Sequence, residues 1–305
     1  MIAIDKATYG MPASAAGQYI KKFISESDRS AETGRVYDNA LSIFTEWAED
    51  MPITAPMIRT FKTYLKNKGL APNTISVYLS AIKQFLAYLV EKGAMLYNPA
   101  KEVKRPRIPR MHQRDALTAE SARLLLNAVS RESAKGLRDF AMINLMLRTG
   151  IREIEVSRAL IGDIAEKEGE RILEIHGKGR DSKDSFVVLT PESYNPIKEY
   201  LVMRPDNDSD APLFISVGNR AHGKLSTRAI RALISRYLMA AGLKSRRITP
   251  HSLRHTAITL AIDGGGGNNL IQVQQMARHT NISTTLGYFH EMKRIQNAAE
   301  RAIRI

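Results

Sequence analysis

The sequence holds no cysteine in its 305 residues, which excludes a disulfide framework and thiolate metal sites and suits a reducing compartment. It contains no run of about 18 apolar residues, the length a membrane-spanning helix needs. Its first residues, MIAIDKATYG, lack the layout of a signal peptide. A soluble cytoplasmic protein is therefore expected. Acidic side chains are scarce: Asp+Glu number 31 against 45 Lys+Arg, giving a net charge of +14 and a pI near 9.9. No carboxylate cluster is spaced to cage Mg²⁺. HGKGRDS lacks the spacing of an ATPase phosphate loop, and His251 and His255 have Ser252 where a zinc-protease helix needs its glutamate. Neither a metal nor a cofactor is expected. Internal repeats are absent as well.

What is present is ordinary in bulk and unusual in charge. A hydrophobic fraction of 44% and a charged fraction of 25% are those of a globular chain, and the length allows about two domains. The excess of cations points to a polyanionic partner, although a merely basic protein would carry the same balance.

Hydrophobic spacing predicts a helical first domain over residues 14–100, after a short leader. One helix is expected from about Ser14, as N-cap, to Ser25, a second over 31–50 and a third over 55–68. A fourth opens at Pro72 and Asn73, repeats Ile75, Tyr78, Leu79, Ile82, Phe85, Leu86 and Leu89, and stops at Gly93. Ser76, Ser80 and Lys83 stand off that stripe and are candidates for DNA contact, with a solvated face as the plain alternative. The stretch NPAKEVKRPRIPRMHQRDA then marks 101–116 as an extended basic linker. Its cations, Lys104, Arg105 and Arg107 among them, can displace counterions from a duplex.

A second domain is expected over 117–305. Thr118 caps its first helix, and RDFAMINLMLRTG (138–150) reads as a buried one. ILEIH (172–176) and SFVVL (185–189) read as strands of a small antiparallel sheet around the turn GKGRDSKD. Helices return over 191–203 and 226–241, the latter showing Thr227, Arg228 and Arg231 as candidate groove contacts. DGGGGNN (263–269) reads as a flexible joint and 291–303 as an amphipathic terminal helix. The fold class is mainly α with a small antiparallel sheet.

The chemistry lies in scattered residues whose order is informative. If 248–262 is helical, His251 and Arg254 share a face at i,i+3, a clamp suited to a tetrahedral anion. Tyr288, nine positions after His279, can serve as nucleophile on a phosphodiester once a base or a cationic pocket activates it. Arg152 supplies a second guanidinium, and Glu155, three residues on, can hold it in place. Lys178, an ammonium on a glycine-flanked turn, can protonate a departing alkoxide. Lys183 is its rival, with the GKG setting favouring Lys178. Attack by tyrosine stores the backbone bond as phosphotyrosine, so rejoining needs no nucleotide.

These boxes resemble the tyrosine recombinases of phage-integrase and Xer type. TGIREIE is similar to the family's first box (Arg152, Glu155), HGKG to its β-turn box (Lys178), TPHSLRHT to its His-x-x-Arg box (His251, Arg254), and ARHTNISTTLGYFH to the box ending in the nucleophile (His279, Tyr288). APNTISVYLSAIKQFLAYL and NPA resemble the core-binding domain. Two departures stand out: Ala277-Arg278 where the family has Leu-Gly, and the glycine-rich joint. The resemblance implies a SAM-like helical domain and a catalytic domain clamped around double-stranded DNA. It also implies an inverted-repeat site, a homotetramer, a 3′-phosphotyrosine, a Holliday junction, and a C-terminal helix (291–305) that packs on a neighbour or on its own domain. With so short a stretch before residue 14, no separate arm-binding domain is expected. A non-catalytic DNA-binding protein on the same scaffold and a type IB topoisomerase are the competing readings. Chromosome-dimer resolution, inversion and mobile-element integration remain open.

Overall fold

The computed structural model describes residues 11–107, 115–176, 183–204, 207–216, 223–265 and 270–288. The chain divides into two units, 1–110 and 111–305, each with its own core.

In the first unit, α1 (Ala13–Gly17) and α2 (Ile20–Glu26) precede α3 (Ala31–Ala48), α4 (Ala55–Asn67) and α5 (Pro72–Glu91). Ser30 and Thr54 cap α3 and α4 by accepting from Thr33 and Met57 N–H groups, and Gly69 and Gly93 follow α4 and α5 at positive φ. Phe44, Phe61 and Phe85 are wholly buried; Phe44 meets Phe61 edge-on at 5.1 Å between centroids. Burial of each such ring contributes roughly 1.5–3 kcal/mol.

Two expectations need correction here. The helix predicted over 14–25 is two short helices, and Ser14 does not cap it: it lies inside α1 and donates to Asp50 Oδ1 at 2.6 Å. Ser76 is buried, and the Ser80 hydroxyl donates back to the Ser76 carbonyl at 2.7 Å. Because α5 packs against α2, α3 and α4, it buries more than one stripe, and Ser76 falls inside that arc. Lys83 is exposed.

The second unit is built around α7 (Ala134–Thr149), buried on nearly every side and packed against α9 (Pro191–Val202) and α11 (Ser252–Gly265). α6 (Ala119–Asn127) runs before it from its Thr118 cap. Gly150 ends α7 at φ 63°, a left-handed turn that suits glycine. α8 (Glu153–Arg158) leads into an antiparallel sheet of β1 (Ile164–Lys167), β2 (Glu170–His176) and β3 (Lys183–Val188), in that order. Leu173 pairs with Ile164 on one side and Val187 on the other, and Leu173, Ile175 and Val187 face the core. β1 is a strand beyond the two expected. α10 (Thr227–Ala240) is tied to α7 by the buried Asp139, which accepts from Tyr237 Oη at 2.9 Å and from Arg138 Nη2 at 2.6 Å.

A smaller apolar cluster joins α11, α12 (Leu270–Ala277) and the helical segment 282–288 through Ile258, Ile262, Val273, Ala277 and Tyr288. α11 runs to Gly265, into the stretch expected as a flexible joint. The expected turn residue Lys178 and the expected terminal helix 291–303 lie outside the described residues.

Candidate active site

Arg152 lies immediately ahead of α8, with extended backbone at φ −80°, ψ 153°. Glu155 reaches back across this first turn. Its Oε2 accepts the Arg152 backbone N–H at 2.7 Å and its Oε1 accepts Arg152 Nη1, also at 2.7 Å. A carboxylate on the first turn satisfies an otherwise open amide, and here the same group also fixes the guanidinium. Glu155 is 3% exposed.

Arg254, on the first turn of α11, is 4% exposed. Its Nη1 donates to the Gly150 carbonyl and its Nη2 to the Ala277 carbonyl. One planar side chain thus ties the corner that carries Arg152 to the corner that carries His279. Burial and the neighbouring Arg152 and Arg278 guanidinium groups push its pKa down to about 10, so it remains a cation at neutral pH.

His279 follows α12. Its Nδ1 lies 2.9 Å from the Thr285 hydroxyl, and its carbonyl accepts from Gln274 Nε2 at 3.0 Å. The Tyr288 ring is buried, stacked on His279 with centroids 6.3 Å apart, and 5.2 Å from His255. His255 in turn meets His251 edge-on at 5.0 Å. His251 precedes α11 rather than lying on it, with a side chain 40% exposed and Nδ1 4.0 Å from Glu153 Oε2. His251 and Arg254 therefore differ sharply in burial despite their i,i+3 spacing.

Burial pushes the His279 imidazole down to about 4, helped by Arg254, Arg152 and Arg278. It is neutral at pH 7 and adds no charge to the pocket. Between the ordinary value of 6.5 and about 4, the unfolded chain binds a proton here that the folded chain does not, so stability rises with pH across that window. Glu155, held below its ordinary value of 4.5 against burial by Arg278 and Arg152, extends the acid loss further down. Urea unfolding between pH 7 and 4 is expected to show falling stability, with a smaller decline in His279→Asn.

Lys183 is held by Asp163 Oδ1 at 2.8 Å and Glu174 Oε2 at 3.1 Å, and these contacts raise its pKa. Of the other expected DNA contacts, Lys104, Arg105, Arg107 and Arg228 are exposed and Thr227 is half-buried at the start of α10. Arg231 lies 3.6 Å from Glu153 Oε1. The sequence reading missed Glu153, His255, Gln274 and Thr285, which the spacing of the boxes does not single out. Arg278, which the sequence shows as a departure from the family's glycine that adds a cation near the pocket, has a side chain only 9% exposed and pairs with Glu155 Oε2 at 2.7 Å. Among the described residues, no group of three or more His, Cys, Asp or Glu side chains is arranged to hold a metal ion, and no helix is long and apolar enough to cross a membrane.

Comparison with known proteins gives this arrangement a family. Residues 115–294 match the phage integrase family and residues 17–105 the phage integrase SAM-like domain. A tyrosine recombinase of Synechococcus elongatus is 30% identical over 88% of both chains. Tyrosine recombinase XerD of Caulobacter vibrioides is 31% identical over 77% of this chain and 76% of its own. In fold, the chain is similar to the XerH site-specific recombinase in a post-cleavage complex with a palindromic difH substrate (TM-score 0.75, 19% identity, 97% of both chains). It is similar also to a lambda integrase dimer on a COC′ core site (TM-score 0.71, 14% identity, 91% of this chain and 95% of that one). The chain belongs to the phage integrase family, the tyrosine recombinases, which are DNA breaking-and-rejoining enzymes of site-specific recombination.

Proposed function

We propose that this recombinase cuts each strand of its site with Tyr288. The Tyr288 oxygen attacks the scissile phosphorus, the bond from phosphorus to the 5′-oxygen breaks, and the 3′-phosphate is left on tyrosine. His251 takes the phenolic proton, and Lys178 gives a proton to the departing 5′-oxygen. Arg152 and Arg254 hold the non-bridging oxygens, and their charge stabilises the transition state. A Thr285 hydroxyl donating to His279 Nδ1 leaves the hydrogen on Nε2, the tautomer that can donate to a phosphate oxygen. Attack by a free 5′-hydroxyl reverses the steps on the partner strand.

The observation that most supports this reading is the tie made by Arg254. Its two carbonyl bonds converge the Arg152 and His279 corners, while Tyr288 stacks on His279. The net charge of +14 suits a double-stranded DNA partner. We infer an inverted-repeat site to which both units bind, and a homotetramer on paired sites. Exchange of the C-terminal segment 291–305 between protomers would link them. A prokaryotic cytoplasm and its nucleoid are the inferred location.

The test is a duplex carrying the DNA that flanks the gene, nicked so that cleavage is trapped, incubated in EDTA without nucleotide. A protein–DNA adduct on a denaturing gel whose linked peptide maps to 282–288 supports the reading. Specific binding with no adduct sinks it in favour of a DNA-binding protein, and relaxation without strand exchange favours a topoisomerase. Lys178→Ala is expected to slow cleavage about 100-fold or more, and a substrate with sulfur at the 5′-bridging position, whose thiolate leaves unprotonated, is expected to restore it. Lys183→Ala should lower stability more than cleavage, because it leaves the buried Asp163 short of a cation.

A further inference from the structure

Arg278 is an unusual residue in an unusual conformation. Its φ is 53°, in the left-handed region that favours glycine, and its side chain turns inward to 9% exposure. Nη2 donates to Glu155 Oε2 at 2.7 Å and Nη1 to the Met276 carbonyl at 3.0 Å, while Nε is buried without a hydrogen-bond partner. Backbone strain and an unmet N–H are both unfavourable, so the ion pair is what holds this conformation. Glu155 Oε2 is the same oxygen that accepts the Arg152 backbone N–H, and Oε1 binds the Arg152 guanidinium.

We propose that Arg278 is a positioning residue of strand cleavage: it fixes the Glu155 carboxylate and, through it, the Arg152 guanidinium. This rests on the reading of Tyr288 as nucleophile. Two consequences follow from the geometry. First, Arg278 and Arg254 are parallel ties between the same two corners, one through a carboxylate and one through carbonyls. Second, Arg278 shares the negative charge of Glu155, so that Arg152 keeps more of its own positive charge for a phosphate. Without Arg278 the buried carboxylate would draw on Arg152 alone.

The pH dependence follows from the groups around Glu155. Arg152 faces it from ahead of α8 and Arg278 from behind α12. Arg254 on α11 acts on the same cluster, and His279 and Tyr288 complete it. Removing Arg278 leaves burial less opposed and raises the Glu155 pKa. Cleavage that needs an ionised Glu155 is then lost at a higher pH as the solution is acidified.

Single-turnover cleavage of the trapped duplex should be followed from pH 4.5 to 9 alongside affinity for uncleaved DNA and thermal unfolding. Arg278→Gln and Arg278→Gly are expected to cleave about 100-fold more slowly, the scale of a displaced catalytic group. Their acid limb should shift upward and their DNA affinity change little. Arg278→Lys is expected to recover much of the rate and most of the shift. Arg278→Gly is the decisive variant, because glycine suits the left-handed backbone and so offsets part of the cost of leaving the buried Glu155 short of a cation. If it cleaves like wild type with an unmoved acid limb, the proposal is overturned. A drop in rate with an unchanged acid limb in both Gly and Gln variants also overturns it, since that is the mark of a merely structural role. Failure of wild type itself to form an adduct refutes Tyr288 as nucleophile instead, and is recognised before any variant is compared.

Discussion

Tyr288→Phe is expected to bind the recombination site as wild type does and to form no covalent adduct. The substitution removes one oxygen and keeps the ring that stacks on His279 and meets His255 at 5.2 Å. The place of that ring in the apolar cluster with Ile258, Ile262 and Val273 survives, so thermal unfolding should shift by no more than a few degrees. What disappears is the atom proposed to attack phosphorus. No neighbouring group replaces it: His255 and His279 would form a labile bond to phosphorus, and a histidine adduct would be lost in hot acid where phosphotyrosine is not. Removal of a nucleophile from an assembled site costs roughly a millionfold in rate, beyond the range of a gel assay. An acid-stable adduct from the Phe variant would refute the assignment of Tyr288. Its linked peptide would then name the true nucleophile.

The candidate site is legible as short boxes whose residue types and order are informative. Arg152, Glu155, His251, Arg254, His279 and Tyr288 were all picked from sequence. How the chain presents them was not. A guanidinium and an imidazole three residues apart suggest one helical face, yet α11 begins after His251, leaving the imidazole half-exposed while Arg254 is buried. The partners of Arg254 are carbonyls, at Gly150 and Ala277. Every residue has a carbonyl, so a pattern of side chains carries no trace of them. Arg278 was legible as a departure from glycine, but its inward turn depends on Glu155, which is remote in sequence. In the fold, the long amphipathic helices were plain from their stripes. β1, four residues reading Ile-Ala-Glu-Lys, is too short to show alternation, and it is set by pairing with β2. Ser76 was misplaced because a helix covered by three neighbours buries its small polar residues with its apolar ones.

Arg254→Lys is expected to be nearly inactive despite keeping a cationic side chain, and less stable than wild type. The reason is first geometric. The guanidinium fork reaches two carbonyls on separate corners of the chain, and a single ammonium on a flexible stem cannot span both in the same plane. One carbonyl then loses its partner in a buried setting, at a cost of about 1–3 kcal/mol. In a domain of this size each kcal/mol lowers Tm by about 2–4 °C. The second reason is electrostatic. Burial with Arg152 and Arg278 nearby brings the arginine down from 12.5 to about 10, which leaves it charged at neutral pH. A lysine starts near 10.4, and the same surroundings would carry it toward neutrality, removing the charge that a phosphoryl transition state requires. Loss of the tie and of the charge together should slow cleavage at least about a thousandfold, the range seen when one preorganised donor is lost. The electrostatic part predicts a further signature: the residual rate of Arg254→Lys should rise as pH is lowered from 9 toward 7, where the amine regains its proton, while the wild-type rate over that interval does not show this rise. A lysine variant that cleaves within tenfold of wild type and unfolds at the same temperature would mean that the corners are held by other contacts, and that Arg254 serves the phosphate alone or not at all.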